Sequence, residues 1–281
     1  MSAIATSGQR DTAPARRGGP AGFGRLMLAE WTKIRSVRST VWTLLLFVII
    51  TVGLTALLSW LSVSHWTGPR APARDATIVA DPVGFIFGAG IGLGQLTIAV
   101  LGVLLIATEY STGVIRASLL AVPRRWPMLA AKIVVFTIIV LVLAEIVAFA
   151  CFFIGSAILH SRVVVSLSDS GVLRSTIGAG LYLTVLGILS LAIGALIRHT
   201  AAAISTAIGV VFVLPILSGL LPGSWGAHIN AYLPEQAGIL ITHTHEVSGD
   251  LLSPWQGFGV LCIWAVLLLA AATYLLDRRD A

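Results

Sequence analysis

The chain reads as an all-α, polytopic integral membrane protein, and three observations say so. Apolar residues make up 57% of the 281 and charged ones only 11%, under half the roughly 25% usual in soluble domains. The apolar residues fall into six blocks, each near the ~20 residues that a helix rising ~1.5 Å per residue needs to cross a ~30 Å hydrocarbon core. The basic side chains gather at the block ends, where they set topology.

Residues 1 to 22 are rich in Ala, Gly, Ser, Pro and Arg without an apolar run. Such a segment buries too little to fold alone and is expected to be a disordered tail, with residues 23 to 281 forming one membrane domain. It also lacks the apolar stretch of a secretory signal, so the first span is expected to serve as the insertion signal. From Phe23 to Thr40 the residues Leu26, Met27, Trp31, Ile34 and Val37 share one helical face, with Arg25, Thr32, Lys33 and Ser36 largely opposite and Glu30 and Arg38 intruding on the apolar side. That pattern predicts an interfacial helix with Trp31 at headgroup depth; an ordinary basic flank of the first span is the plainer alternative.

The six predicted spans are Val41 to Leu61, Val83 to Ala107, Ile133 to Leu159, Ile177 to Ile197, Ala201 to Leu221 and Gly257 to Leu276. The fourth and fifth form one apolar block broken only by Arg198, His199 and Thr200. A single helix of that length would exceed ~60 Å, about twice the core thickness, so a tight turn is expected there. Span 2 carries Gly84, Gly88 and Gly92 at steps of four with Gly90 and Gly94 between them, a pattern for close helix approach. Gly90-Ile-Gly-Leu-Gly lacks the preceding strand and glycine spacing of a dinucleotide loop. Pro215 predicts a kink in span 5.

Net charge is +6. Fourteen basic residues precede span 1, lie in the connectors after spans 2 and 4, or follow span 6; only Arg70, Arg74, Arg162 and Arg174 fall on the other side. The positive-inside rule then places both termini in the cytoplasm, as an even span number requires. The pI near 10 does not indicate nucleic acid, because these cations flank spans and face lipid headgroups. Cys151 and Cys262 both fall inside spans and define neither a disulfide framework nor a metal cluster.

Glu145 lies near the middle of span 3, where a charge costs ~2.5–3.5 kcal/mol on insertion scales. It must face protein or water; a substrate-path or proton-relay role and a neutral acid hydrogen-bonded between helices are both open. The longest outward segment, Pro222 to Gln256, has no Lys or Arg. His243-Thr-His-Glu within it is a weak metal signal without a fixed third ligand, and a solvated acidic loop is expected instead. Short apolar patches such as Ala237 to Ile241 fit small re-entrant or surface helices.

The chain contains no phosphate-cradling Gly-x-x-x-x-Gly-Lys-Ser/Thr loop, no Gly-x-Ser-x-Gly and no His-Glu-x-x-His. It does contain Glu109-Tyr-Ser-Thr-Gly-Val-Ile-Arg followed by Pro123-Arg-Arg and Lys132, a short charged element between spans 2 and 3. A polar handle on a chain without a nucleotide site suggests work received from a soluble partner.

Together with Glu30-Trp-Thr-Lys-Ile-Arg-Ser-Val-Arg-Ser-Thr-Val-Trp, Tyr232-Leu-Pro and the terminal Arg278-Arg-Asp-Ala, this run resembles the permease subunits of type-2 ATP-binding-cassette transporters in the actinobacterial style, over residues 25 to 281. One departure is Val114, where a threonine is common. The resemblance implies two six-span subunits, as homodimer or heterodimer, each resting on a separate cytosolic ATPase. That partner holds ATP and magnesium, and this chain is expected to carry no cofactor, metal or catalytic residue of its own. It implies an exporter in the plasma membrane, with a short cytosolic coupling helix between spans 2 and 3.

The ATPase-facing residues implied are Glu30, Trp31, Lys33, Arg35, Glu109, Tyr110, Thr112, Gly113, Arg116, Arg124 and Arg125. Glu109 would pair with a basic residue of the interface helix or of the partner, Tyr110 would anchor, and the arginines would meet acidic groups or phospholipid. Glu145 is the substrate-path candidate. An ion-coupled secondary transporter with Glu145 as carrier, and a non-transporting anchor or sensor, remain rival readings; against the former, no paired broken helices recur in two matching halves.

Overall fold

The computed structural model describes residues 22–66, 73–111, 125–221, 224–246 and 250–278. Among these there is no strand, and six helices are long and apolar enough to cross a membrane. The predicted tail before residue 22 and the predicted coupling helix, between residues 112 and 124, lie outside the described residues.

Helix α1 (Phe23–Ser36) precedes α2 (Arg38–Ser64), which is span 1. A short α3 (Ala73–Ala80), not anticipated from sequence, leads into α4 (Pro82–Ser111), span 2. Helix α5 (Arg125–Leu159) is span 3 and α6 (Val172–Ile197) span 4. Span 5 is composite: α7 (Thr200–Ile208), a π-helical turn (Gly209–Val213) and α8 (Leu214–Gly219). Then come α9 (Ser224–Ala231), α10 (Pro234–Ile239) and α11 (Pro254–Arg278), span 6. The face where α2 begins and α11 ends is here the terminal face; the other is the far face.

Each predicted span is present, and the largest difference is at span 3, whose helix starts at Arg125 instead of Ile133. Lys132 ends the apolar run but not the helix, because its charge is buried and neutralised. Pro127 is tolerated since a first-turn N–H has no helical partner to lose. The break between spans 4 and 5 is as expected: Arg198 takes a left-handed φ of 59° and ends α6, and His199 accepts the Ala202 N–H at 3.3 Å through Nδ1 and caps α7. The Pro215 kink appears as the π turn just before it. Proline cannot donate to the carbonyl four residues back, and π turns accommodate such gaps.

Spans 2 and 4 form the centre: 65% and 72% of their apolar windows are buried, against 17–33% for the other four. Glycines explain why. A methyl at Gly102 would lie 2.5 Å from the Gly187 carbonyl oxygen, so the two backbones touch where both helices lack side chains. The predicted stripe on span 2 divides: Gly90 and Gly94 press against Thr51 and Thr55 of span 1, whereas a methyl added at Gly88 or Gly92 would meet nothing within 4 Å. Exposed tryptophans mark both rims, Trp42 and Trp126 near the terminal face and Trp60, Trp225 and Trp255 near the far face, as interfacial anchors do.

Candidate functional site

The inward face of α1 is Leu26, Met27, Glu30, Lys33 and Ile34, which follow a three- and four-residue step. Glu30 is thus not an intrusion on an apolar face but part of the contact, 7% exposed. Glu109 lies in the last turn of span 2 and span 3 carries Lys132 two turns in; they are 4% and 1% exposed. Lys132 Nζ donates to Glu30 Oε2 at 2.6 Å and to Glu109 Oε1 at 2.7 Å. Lys33 Nζ also donates to Glu109 Oε1, and it lies 3.9 Å from Glu30 Oε1.

Two ammonium groups and two carboxylates cancel, so the network can be buried at a membrane rim without net charge. Removing one member would strand its partner, at a cost of ~3–5 kcal/mol. The arrangement locks three elements far apart in sequence, α1, span 2 and span 3. One valence is open: Glu109 Oε2 is buried with no hydrogen-bond partner.

The next residue extends the junction. The Arg198 guanidinium lies 4.9 Å over the Tyr110 ring, and its Nη2 donates to the Leu275 carbonyl at 3.3 Å near the end of span 6. The left-handed turn between spans 4 and 5 is therefore tied to the end of span 2 and to span 6. Tyr110 thus faces an intramolecular cation.

Of the residues singled out from sequence, Glu30, Lys33, Glu109 and Tyr110 converge here. Trp31 does not: it is 47% exposed on the outward face of α1, and Arg35 is exposed as well. Arg125 opens α5, and Thr112, Gly113, Arg116 and Arg124 lie outside the described residues. Lys132 was counted from sequence as a headgroup-facing connector charge; it is instead the most buried member of the network. Its signal was its place, directly before a long apolar run, where a lysine must find a carboxylate. Glu145 sits about 20 Å further along span 3; a side chain at Gly180 of span 4 would run into its carboxyl group, and its Oε2 is buried without a partner.

The far face holds a second polar cluster: His245 and Glu246 are exposed, as expected of a solvated loop, but His243 and Thr244 are partly buried against the start of span 2. His243 Nδ1 lies 2.9 Å from Asp81 Oδ2, Thr244 Oγ1 donates to Asp81 Oδ1 at 3.0 Å, and His245 Nε2 is 2.9 Å from the Ala80 carbonyl. Arg174 Nη2 donates to the carbonyls of His243 and Thr244 at 2.9 and 2.8 Å, and Ser175 Oγ to that of Thr242 at 2.6 Å. Asp81 also accepts the Gly84 N–H at 2.9 Å, which caps span 2. Burial pushes the Asp81 carboxyl up, but the hydrogen bonds from His243 and Gly84, the His243 charge and Thr244 outweigh it and hold the group below its ordinary value. Among the described residues no group of three or more His, Cys, Asp or Glu is placed to hold a metal.

No known family model matches the sequence, and no curated protein matches it either. The functional reading therefore rests on the residues themselves.

Proposed function

We propose that this chain is the membrane-spanning permease subunit of an ATP-driven exporter, coupled at its terminal face to a separate cytosolic ATPase that binds ATP and magnesium. The observation that carries the reading is the buried, charge-balanced network of Glu30, Lys33, Glu109 and Lys132. It joins the interfacial helix to the two spans that flank the charged 112–124 connector. A push on the connector reaches spans 2 and 3 and α1 as one body, and span 2 is a central helix in contact with span 4. Coupling through such a junction needs two global states with different partner contacts.

On this reading the termini are cytoplasmic, the membrane is the plasma membrane, a second permease subunit completes the path, and lipid contacts the exposed faces. Arg116, Arg124 and Arg125 then face the ATPase, and Glu145 lines the path. Nucleic acid has no place in it.

Isolation of the native complex tests the proposal. An ATPase should copurify at one copy per permease, and Glu109→Gln should leave the permease inserted but abolish its stimulation of ATP hydrolysis. Unchanged stimulation, or transport without any ATPase, overturns it. Reporter fusions should read outside at residue 65 and inside at residue 120.

The unpartnered Glu145 carboxyl oxygen in span 3 supports a second reading, an ion-coupled transporter. Flux driven by an ion gradient in ATPase-free vesicles, lost in Glu145→Gln, would favour it.

A further inference from the structure

After span 5 the chain does not stay at the far face. Asn230 Nδ2 donates to the Pro215 carbonyl at 3.0 Å and to Ser218 Oγ at 2.7 Å, which seats α9 beside the last turn of span 5. Trp264, ten residues into span 6 and so ~15 Å deep, donates its indole N–H to the Tyr232 carbonyl at 3.0 Å. A methyl at Gly238 would strike Leu261 of span 6 and Tyr182 of span 4. Helices α9 and α10 thus form a re-entrant hairpin that dips to about mid-membrane and returns to the Asp81 and Arg174 cluster.

At its tip is Glu235, 8% exposed. The side chains of Gln95 of span 2 and Gln236 lie near enough to its carboxyl group to favour the carboxylate form. The Gln95 carbonyl oxygen accepts the hydroxyl of Tyr182, a wholly buried side chain, which leaves its amide end as the one that favours a carboxylate at Glu235. Glu235 Oε2 is buried with no partner. Among the described residues no cation pairs with this carboxyl. The elements packed on α10 are spans 4 and 6, the π turn of span 5, the 3₁₀ turn Leu240–Thr242 and α9. Their titratable side chains near this depth are the Tyr182 hydroxyl and the Cys262 thiol, and span 2 has none between Pro82 and Thr108. His228 of α9 is exposed and bonded to the Ser224 carbonyl; Arg174, Asp81 and His243 lie at the far rim.

A charged carboxylate there would be buried without a counter-ion, whereas the neutral acid leaves only one unpartnered hydroxyl. Burial accordingly raises the Glu235 carboxyl above the ordinary carboxylate range, the nearby Gln95 and Gln236 side chains opposing it. We propose that Glu235 is a proton-binding site that locks the α9–α10 hairpin between spans 2, 4 and 6, and that loss of the proton unseats the hairpin toward the far face. The raised group sets the sign: the docked state is fully favoured in acid and weakens as pH rises through the titration of Glu235. This inference stands whether or not an ATPase drives the chain.

Spin labels on the full chain in lipid nanodiscs test it, with Cys151 and Cys262 replaced by alanine. Trp225→Cys on α9 and Val164→Cys between spans 3 and 4, 55% and 71% exposed, report hairpin position. A single narrow distance is expected at a pH of about 5.5 and a second, longer population at about 8.5, a window that brackets a raised carboxyl. Glu235→Gln should keep the narrow distance at both. Asp81→Asn should keep the wild-type response, which separates Glu235 from the rim cluster. Should Glu235→Gln fail to fold, Gln95→Leu serves: losing a polar side chain that favours the carboxylate should move the midpoint to higher pH. A wild-type distribution independent of pH, a Glu235→Gln protein that responds like wild type, or a Gln95→Leu midpoint that is unmoved or lowered overturns the proposal.

Discussion

The two ends of the bundle hold their polar groups in opposite ways. At the terminal face, four formally charged side chains from α1, span 2 and span 3 neutralise one another, and three of the four are almost wholly buried. At the far face, Asp81, His243, Thr244 and Arg174 are half exposed, and much of the bonding runs from side chain to backbone carbonyl. Paired buried charges resist separation, because each partner left behind is an uncompensated charge. Bonds to carbonyls at a wet rim exchange with water at little cost. One end is held by charges that depend on one another and the other by bonds that water can replace.

The comparison breaks most readily at Lys132. Lys132→Met leaves Glu30 and Glu109 buried and unpaired, and thermal unfolding in nanodiscs should show a loss of ~3–5 kcal/mol. Replacing all four network residues by apolar ones of similar size should restore most of that stability. If the network also transmits force to the ATPase proposed above, the restored protein still fails to stimulate that ATPase; full stimulation would reduce the network to a structural rivet.

Asp81→Asn is the matching experiment at the far face, with a smaller loss of ~1–3 kcal/mol at neutral pH. Asp81 titrates below its ordinary value of 3.8, so the stability it contributes is present above that value and disappears as pH falls through its folded-state titration. Wild type and Asp81→Asn should therefore converge in stability in strong acid; a gap that persists there would assign the effect to packing.

The smallest effect is expected at Arg198→Gly. Glycine relieves a left-handed residue worth ~1–2 kcal/mol, while the lost cation–π contact costs ~0.5–2 kcal/mol and the lost hydrogen bond to the Leu275 carbonyl ~0.5–1.5 kcal/mol. Net stability should change by less than ~1 kcal/mol, yet the tie from the span 4–5 turn to Tyr110 is gone. A fall in ATPase stimulation without a fall in stability would extend the terminal-face block to spans 4 and 6.

Much of this was legible in the chain. Length and hydropathy placed six spans, since a bilayer of fixed thickness leaves the backbone no other apolar solution. Arg198-His199 marked a turn because no helix could be so long. Glu30 was visible as a misfit on an amphipathic face, and Glu109 as a carboxylate in search of a cation. Which cation was not legible: Lys33 lies 76 residues from Glu109 and Lys132 lies 102 from Glu30, and pairing over such separations is set by how helices pack.

Glu235 shows the same limit more sharply. Within Leu-Pro-Glu-Gln it reads as a loop acid, and it becomes a buried acid only because α10 folds back onto Tyr182 and Gln95. Local composition fixed what each segment is and which solvent it lies in, because hydropathy and charge act residue by residue. Tertiary packing alone decided which charges meet, which glycines are contacts and which carboxyl stays unpaired, because those outcomes depend on distances between helices that no single stretch of chain encodes.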